Sequence, residues 1–575
     1  MSTLKRSLPG WFPIARWLAG YNREFFAADL VAGIVTAILL IPQGLAFSLL
    51  AGLPLQVGLY ASILPPVAYA LFGTSRTLAV GPVSIVSIMV AEALRALPAG
   101  TDPVAAAVIL ALLCGIVLLA LGVARLGLLA NFLSHPVLSG FTSAAALIIV
   151  VSQLPALLGV RWPAGVPLIR MGATIVETVR AINGPTLAIG ALSIALLLLS
   201  GRPVERVLTS LGVASARARV LTRTAPLILL ALTTLLVLGL GLDADAGVAV
   251  VGVFSMGTPH FAATWPAWSV VMRLLPSAAL IAMVGYVESV SIAKTLANRR
   301  RETIDPNQEL IAHGVANLAA AVSGAMPVAG GFSRTVVNYN AGARTQMASI
   351  ITATLVALAA WSIAPVLEHV PKAALAAIII VASAGLVDVH AARSAWRYDR
   401  GDGLVLFATA ACVLVFGLDA GLFAGLVLSL LVYIGRASRP HIAELGRVAG
   451  SEHFRNVRRY HALETWPPLL LLRVDEHLSF ANSAWFEETV MNRVSESPQL
   501  RHLILVCGGI NGIDTSGLET LIRLAHSLKE AGITLHLAEV KGPVMDRLHR
   551  SELLAVMAPG RVFMSAHEAV KALAP

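Results

Sequence analysis

GPVSIVSIMV at residues 81–90 and GGFSRTVVNYNAG at residues 330–342 are short apolar stretches, each opened by residues that break a helix. They fall in corresponding places of the two hydrophobic halves of the chain. A helix that starts inside a bilayer leaves its first backbone N–H groups unpaired, at several kcal/mol each in hydrocarbon, unless a ligand or protein groups accept them. The two stretches therefore read as an anion site within a membrane, since paired half-helices in matching positions point to a transporter's binding site.

The composition around them is that of a polytopic membrane protein. Of 575 residues, 57% are hydrophobic and 13% charged, and a mean hydropathy of +0.79 is far too high for a soluble globular domain. The net charge of +10 does not indicate nucleic acid, because the cations cluster between apolar spans without interleaved aromatics. Cys114 and Cys412 lie in apolar spans and Cys507 in a strand-like run, so no disulfide or metal spacing arises and no cofactor is expected. Residues 1–27, basic and aromatic, read as a cytoplasmic lead-in rather than a cleavable signal.

Apolar runs lie near residues 28–50, 54–72, 82–97, 103–123, 133–158, 172–200 and 225–242, then near 272–296, 308–325, 332–342, 346–366, 372–388, 402–417 and 420–435. That is about fourteen segments, repeat one over 28–242 and repeat two over 272–435, with an exposed loop between them. Cations follow the even-numbered spans: Arg76, then Arg202, Arg206, Arg217, Arg219 and Arg223, then Lys294 and Arg299 to Arg301, then Arg393, Arg397 and Arg400. Those loops and both termini are expected to be cytoplasmic; Arg161, Arg170 and Lys372 run against the pattern. The interrupted third and tenth runs are seven spans apart, and an odd offset reverses membrane direction, giving an inverted repeat. Gln43 precedes Pro82 by about as many residues as Glu288 precedes Ser333.

Beyond Arg439-Pro440 the hydropathy changes. A polar stretch, 441–462, reads as a linker between a transmembrane domain at 28–440 and a unit at 463–575, where strand-like runs alternate with amphipathic helices. That alternation indicates a small soluble α/β domain.

The runs LLIPQGLAFSLLAGLPLQVGLYASILPPVAYALFGTSRTLAVGPVSIVS and VESVSIAKTLANRRRETIDPNQELIAHGVANLAAAVSGAMPVAGGFSRTVVNYNAGARTQ closely resemble the SulP anion permeases, the family of sulfate transporters and the prestin motor protein. The tail, with GINGIDTSGLETL, resembles the STAS domain such permeases carry. The resemblance implies an α-helical membrane protein of fourteen segments in a seven-plus-seven inverted repeat, followed by a STAS domain. It also implies a core of spans one to four and eight to eleven, moving like an elevator against a gate, and a homodimer.

Opposed helix N-termini offer about half a unit charge each, worth about 0.3–2 kcal/mol apiece, whereas stripping an anion of water costs tens of kcal/mol by Born estimates. Dipoles alone cannot hold a dry oxyanion, so further donors must converge. Behind the breakers Gly81 and Pro82, the sequence supplies Gln43, Ser333 with its backbone N–H, and Arg334. In the family, positions matching Gln43, Phe47, Val83, Ser333 and Arg334 line the anion pocket; Val83 departs from a phenylalanine found in some animal members. Each has a plainer reading: Gln43 as an amide bonded to a neighbouring helix, Phe47 as a core aromatic, Ser333 as a helix cap.

Glu288 lies mid-span, where a carboxylate must pair with a cation or hold a proton. Arg334 is the partner expected, and the alternatives are a co-transported proton on Glu288 or a structural ion pair. The family's sodium-dependent bicarbonate branch has an aspartate at the matching position and a threonine one turn on. Here Glu288 and Ile292 leave a hard-cation site one oxygen short. In the tail, Asp514 can cap the following helix, and Ser516 matches a serine phosphorylated in related bacterial regulators, so capping and regulation, by phosphate or a protein partner, both stand.

The reading is a secondary active transporter of an inorganic oxyanion, sulfate moved with protons across a bacterial-type inner membrane. Dicarboxylate or bicarbonate symport is the alternative within the mechanism; a passive anion channel or a membrane receptor with STAS output is the alternative outside it. Scattered histidines and the lack of a phosphate-cradling loop speak against an enzyme.

Overall fold

A computed structural model describes residues 12–98, 100–128, 134–160, 178, 181–200, 202–211, 222, 224–252, 268–362 and 368–574. Arg161, Arg170, Arg217, Arg219 and Arg223, the beginning of the lead-in, and much of the loop between the repeats lie outside the described residues. The chain divides into two compact units, Met1–Val427 and Leu428–Pro575.

Fourteen helices among the described residues take the places of the fourteen apolar runs. In repeat one they are α1 (Arg23–Leu50), α2 (Leu64–Phe72), α3 (Ser84–Arg95), α4 (Pro103–Val123), α5 (His135–Leu158), α6 (Gly184–Leu199) and α7 (Ala225–Leu240). Repeat two holds α8 (Trp268–Arg300), α9 (Pro306–Val322), α10 (Phe332–Asn340), α11 (Met347–Ser362), α12 (Lys372–Ala384), α13 (Arg400–Phe416) and α14 (Leu418–Ala437). The first helix begins ahead of its apolar run because the Asn22 side chain caps it, accepting from the Phe25 N–H at 2.9 Å. The interrupted segments α3 and α10 have 12 and 9 residues. At about 1.5 Å per residue neither reaches across a hydrocarbon core of about 30 Å.

Each short helix is preceded by a strand, β1 (Val80–Gly81) before α3 and β2 (Ala329–Gly330) before α10. The two strands pair antiparallel, Val80 opposite Gly330 and Gly81 opposite Ala329. The halves therefore run in opposite senses where they meet, as an inverted repeat requires. Side chains satisfy backbone groups around this crossing, which hydrocarbon would otherwise leave unpaired. Asn317 brackets Val328, accepting from its N–H at 3.0 Å and donating to its carbonyl at 3.1 Å. Ser289 accepts from the Gly330 N–H at 2.7 Å. From α10, Thr335 accepts from the Ala79 N–H at 3.1 Å and Asn338 donates to the Thr77 carbonyl at 2.9 Å. Small residues let α4 and α9 approach closely: a Cβ on Gly314 would meet Leu119 Cγ at 2.7 Å, and one on Gly115 would meet Leu318 Cδ2 at 2.8 Å.

The second unit holds a seven-stranded mixed sheet. Its strands are β3 (Ile442–Val448), β4 (Phe454–Asn456), β5 (Leu463–Glu464), β6 (Leu469–Val474), β7 (His502–Val506), β8 (Thr534–Ala538) and β9 (Val562–Phe563), in the order β4-β3-β6-β7-β8-β9 with β5 beside β3. From β6 to β9 the pairing is parallel, so each crossover carries a helix. One face is covered by α15 (Ser483–Ser495), α16 (Thr515–Glu530) and α17 (Gly542–Leu548), through Phe486, Leu524 and Leu548. The other face meets α18 (Ala566–Leu573) through Ala569 and Val570.

The stretch 441–462, expected as a linker, is part of this sheet. Two strands lie inside it, and β3 pairs antiparallel with β6 from Ile442↔Val474 to Glu444↔Leu472. Its inward residues are Ala443 and Leu445, too few apolar positions among polar neighbours to reveal a strand. The helix α14 ends at Ala437, just ahead of Arg439-Pro440.

Candidate anion site

The breaks in α3 and α10 open onto one cavity of about 360 Å³. Gln43, Phe47, Val83, Ser333, Arg334 and Glu288 all line it, brought in by four helices. Gly81 and Pro82 stand behind the wall and shape it through Arg334. That guanidinium, 1% exposed, donates from Nη1 to the Pro82 carbonyl at 2.6 Å. It lies where side chains on the glycines would be: a Cβ on Gly331 would meet Arg334 Nη2 at 2.9 Å, and one on Gly81 at 3.2 Å. Gly81 and Gly331 therefore do more than stop a helix; their bareness admits the cation.

Two helix N-termini face the cavity without side-chain caps. The residue preceding α3 is Val83 and that preceding α10 is Gly331, both extended and neither supplying an acceptor. Ser333 is already inside α10, so helix capping does not account for it. Gln43 follows Pro42 within α1, where the ladder lacks one donor. Its amide makes no hydrogen bond to a neighbouring helix among the described residues, and it points at the cavity instead.

Glu288 and Arg334 share the cavity but form no ion pair with each other. Glu288 Oε2 and Arg334 Nε and Nη2 are all buried without hydrogen-bond partners. The pairing expected from the sequence gives way to Pro82, whose carbonyl lies nearer the guanidinium because the antiparallel crossing brings the two breaks together. What remains is a buried, unpartnered carboxylate oxygen and a buried, unpartnered two-nitrogen edge on two residues that line the same cavity. An oxyanion accepts from such an edge with charge-assisted hydrogen bonds.

Other residues that shape the site were hidden in the sequence. Ala382, Gly385 and Leu386 close the cavity from α12 and its end, and nothing in their type marks them. Glu309, fully buried, accepts from the Tyr69 hydroxyl at 2.8 Å, the Thr74 N–H at 2.7 Å and the Thr74 hydroxyl at 2.6 Å, and so ties α9 to the loop after α2. It is saturated, and its role is to hold the approach to β1.

In the second unit, Asp514 caps α16, accepting from the Gly517 N–H at 2.8 Å, and also holds the Phe480 N–H at 2.9 Å. Burial pushes its pKa up, but the backbone N–H groups of Gly517, Phe480 and Ser516 together outweigh it and hold the carboxyl below the usual aspartate range. Ser516 is half-buried in the first turn of α16.

Comparison with known proteins agrees with the fold. The sulfate permease family matches residues 26–409 and the STAS domain residues 460–569. Sulfate transporter 4.1, chloroplastic, of Arabidopsis thaliana is 33% identical over 574 residues, covering 97% of this chain and 82% of its own. High affinity sulfate transporter 2 of Stylosanthes hamata is 30% identical over 583 residues, covering 98% and 86%. Among solved structures, the murine Solute Carrier 26 family member A9 anion transporter superposes with a TM-score of 0.89 at 23% identity, covering 99% of this chain and 95% of that one. The transmembrane domain of a cyanobacterial bicarbonate transporter, BicA, gives 0.60 at 22% identity, covering 70% and 98%. The chain belongs to the sulfate permease family, as a multi-pass membrane anion transporter with a STAS domain and not an enzyme.

Proposed function

We propose that the chain is a secondary active transporter that carries sulfate together with protons, by movement of a core against a gate. The observation that carries this reading is that Glu288 and Arg334 line one cavity while Glu288 Oε2, Arg334 Nε and Arg334 Nη2 are buried without hydrogen-bond partners. The guanidinium contributes one positive charge and the two bare helix N-termini about half a charge each. Their sum is about +2, which matches a dianion when Glu288 is protonated and falls to about +1 when it is ionised. A unit charge about 6–8 Å away at an effective dielectric near 20 is worth about 2–3 kcal/mol. Proton and dianion binding are then linked, each strengthening the other by the same factor. The names of the relatives and the absence of a threonine one turn after Glu288 both favour sulfate with protons over bicarbonate with sodium.

The loop cations support a reading in which both termini are cytoplasmic, in a bacterial-type inner membrane. The test is radiolabelled uptake into proteoliposomes of sulfate, bicarbonate and succinate, under imposed proton or sodium gradients. Sulfate accumulation driven by a proton gradient supports the reading. Sodium-driven bicarbonate uptake, or flux indifferent to any gradient, overturns it.

A further inference from the structure

A second polar junction lies away from the anion cavity. On α3, eight residues and about 12 Å along the axis from its start at Ser84, Glu92 Oε2 accepts from the Leu418 N–H at 3.1 Å. Leu418 opens α14, so this carboxylate caps a helix from the last part of the chain. One residue on, Asp419 Oδ2 accepts from the Ser277 hydroxyl on α8 at 2.9 Å. Gly417, which joins α13 to α14 at φ +93°, is pressed against Glu92, and any side chain there would collide with Glu92 Oε1.

The traffic is reciprocal. A carboxylate on α3 takes a donor from α14, and a carboxylate on α14 takes a donor from α8. In the core-and-gate division, α3 and α8 belong to the core and α14 to the gate. Both bonds therefore cross the one boundary that must slip if the core moves. Beside them lies a cavity of about 480 Å³, walled by Ala51, Gly52, Gln153 and Leu418 among others, into which Arg95 also faces; the charges that act on Glu92 are the Asp419 carboxylate and, more weakly, Arg95. Water there can take over each carboxylate as the bonds part, which an apolar contact does not allow. Since α3 leads from the site toward the face opposite the cationic loops, the junction sits on the non-cytoplasmic side.

We propose that Glu92 and Asp419 form a latch that holds core to gate on the non-cytoplasmic side and must open once in each transport cycle. The proposal rests on the alternating-access reading given above. It is tested by thiol accessibility in proteoliposomes, on full-length protein whose three native cysteines are replaced by serine. Ala51→Cys puts a thiol in the wall of the cavity beside the latch, and Pro98→Cys puts a reference in the exposed loop after α3. Labelling by a membrane-impermeant maleimide from the non-cytoplasmic face is read as the ratio of the two rates.

Glu92→Ala with Asp419→Ala is expected to raise that ratio about tenfold without substrate, the effect of losing about 1.4 kcal/mol. Ser277→Ala, which deletes one hydroxyl, is expected to raise it about threefold and serves if the double variant does not fold. A ratio unmoved by these changes, yet still rising when sulfate and a proton gradient drive turnover, overturns the latch and leaves alternating access standing. A ratio indifferent both to the variants and to turnover overturns the two together.

Discussion

Replacing Arg334 by lysine separates the charge of the site from its geometry. The guanidinium commits Nη1 to the Pro82 carbonyl and leaves Nε and Nη2 for a ligand. An ammonium keeps the unit charge but not the fixed fork, so it cannot serve Pro82 and still offer two parallel donors. Losing one charge-assisted hydrogen bond costs about 1.5–3 kcal/mol, or about a 10- to 150-fold rise in the KM for sulfate. Arg334→Ala loses both bonds and the charge, for about 3–6 kcal/mol or more, and leaves the Pro82 carbonyl unpaired. The assay is initial-rate uptake of radiolabelled sulfate into proteoliposomes, with KM and Vmax resolved, beside equilibrium binding in detergent. Arg334→Lys with KM within twofold of the parent would show that the free edge does not touch the anion, and the assignment of the cavity would fall with it.

Gly331→Ala places a methyl group 2.9 Å from Arg334 Nη2. It should cut sulfate uptake about tenfold while the melting temperature shifts little, because the guanidinium tip gives way rather than the backbone. Glu288→Gln should abolish stimulation of uptake by a proton gradient and raise sulfate affinity at pH 8 at least tenfold, by removing a charge worth about 2–3 kcal/mol; binding titrations across pH check both. In the STAS unit, burial beside His502 and Arg561 depresses His536 to about 4. Its stabilising contribution is full above the ordinary value near 6.5 and is lost as pH falls toward 4, so His536→Gln should flatten the melting temperature over that window. Asp514→Ala should destabilise the same unit by about 1 kcal/mol at neutral pH through loss of a helix cap. A chemical denaturation curve indistinguishable from the parent's would rule that out.

The breaks, the polar residues aimed at them and the soluble tail were legible because each leaves a mark in one dimension. Gly-Pro and Gly-Gly interrupt apolar runs, and Gln43, Glu288 and Arg334 are conspicuous because their immediate neighbours along the spans carry no charge. Partner choice was not legible. Whether Arg334 turns to Glu288 or to Pro82 depends on a crossing of two strands far apart in the chain, and sequence spacing does not fix it. Glu309, in the first turn of α9, looks like an ordinary helix-start acid; only the fold shows four donors closing on it, the Ser75 N–H among them. β3 escaped because a strand with two apolar inward residues has no period to detect. Glu92 and Asp419 sit near helix ends, where acids are commonplace, and their pattern exists only across three helices.

The antiparallel pairing of Val80–Gly81 with Ala329–Gly330 has a consequence for biogenesis. During synthesis the first strand enters the membrane some 250 residues before its mate is made. Until the later segment arrives, the amides of 80–81 lack the acceptors they have in the finished protein, and insertion machinery or trapped water must shelter them. The binding pocket is therefore among the last parts to assemble, and a ribosome stalled between the halves leaves a fragment that spans the bilayer without a place for its cargo.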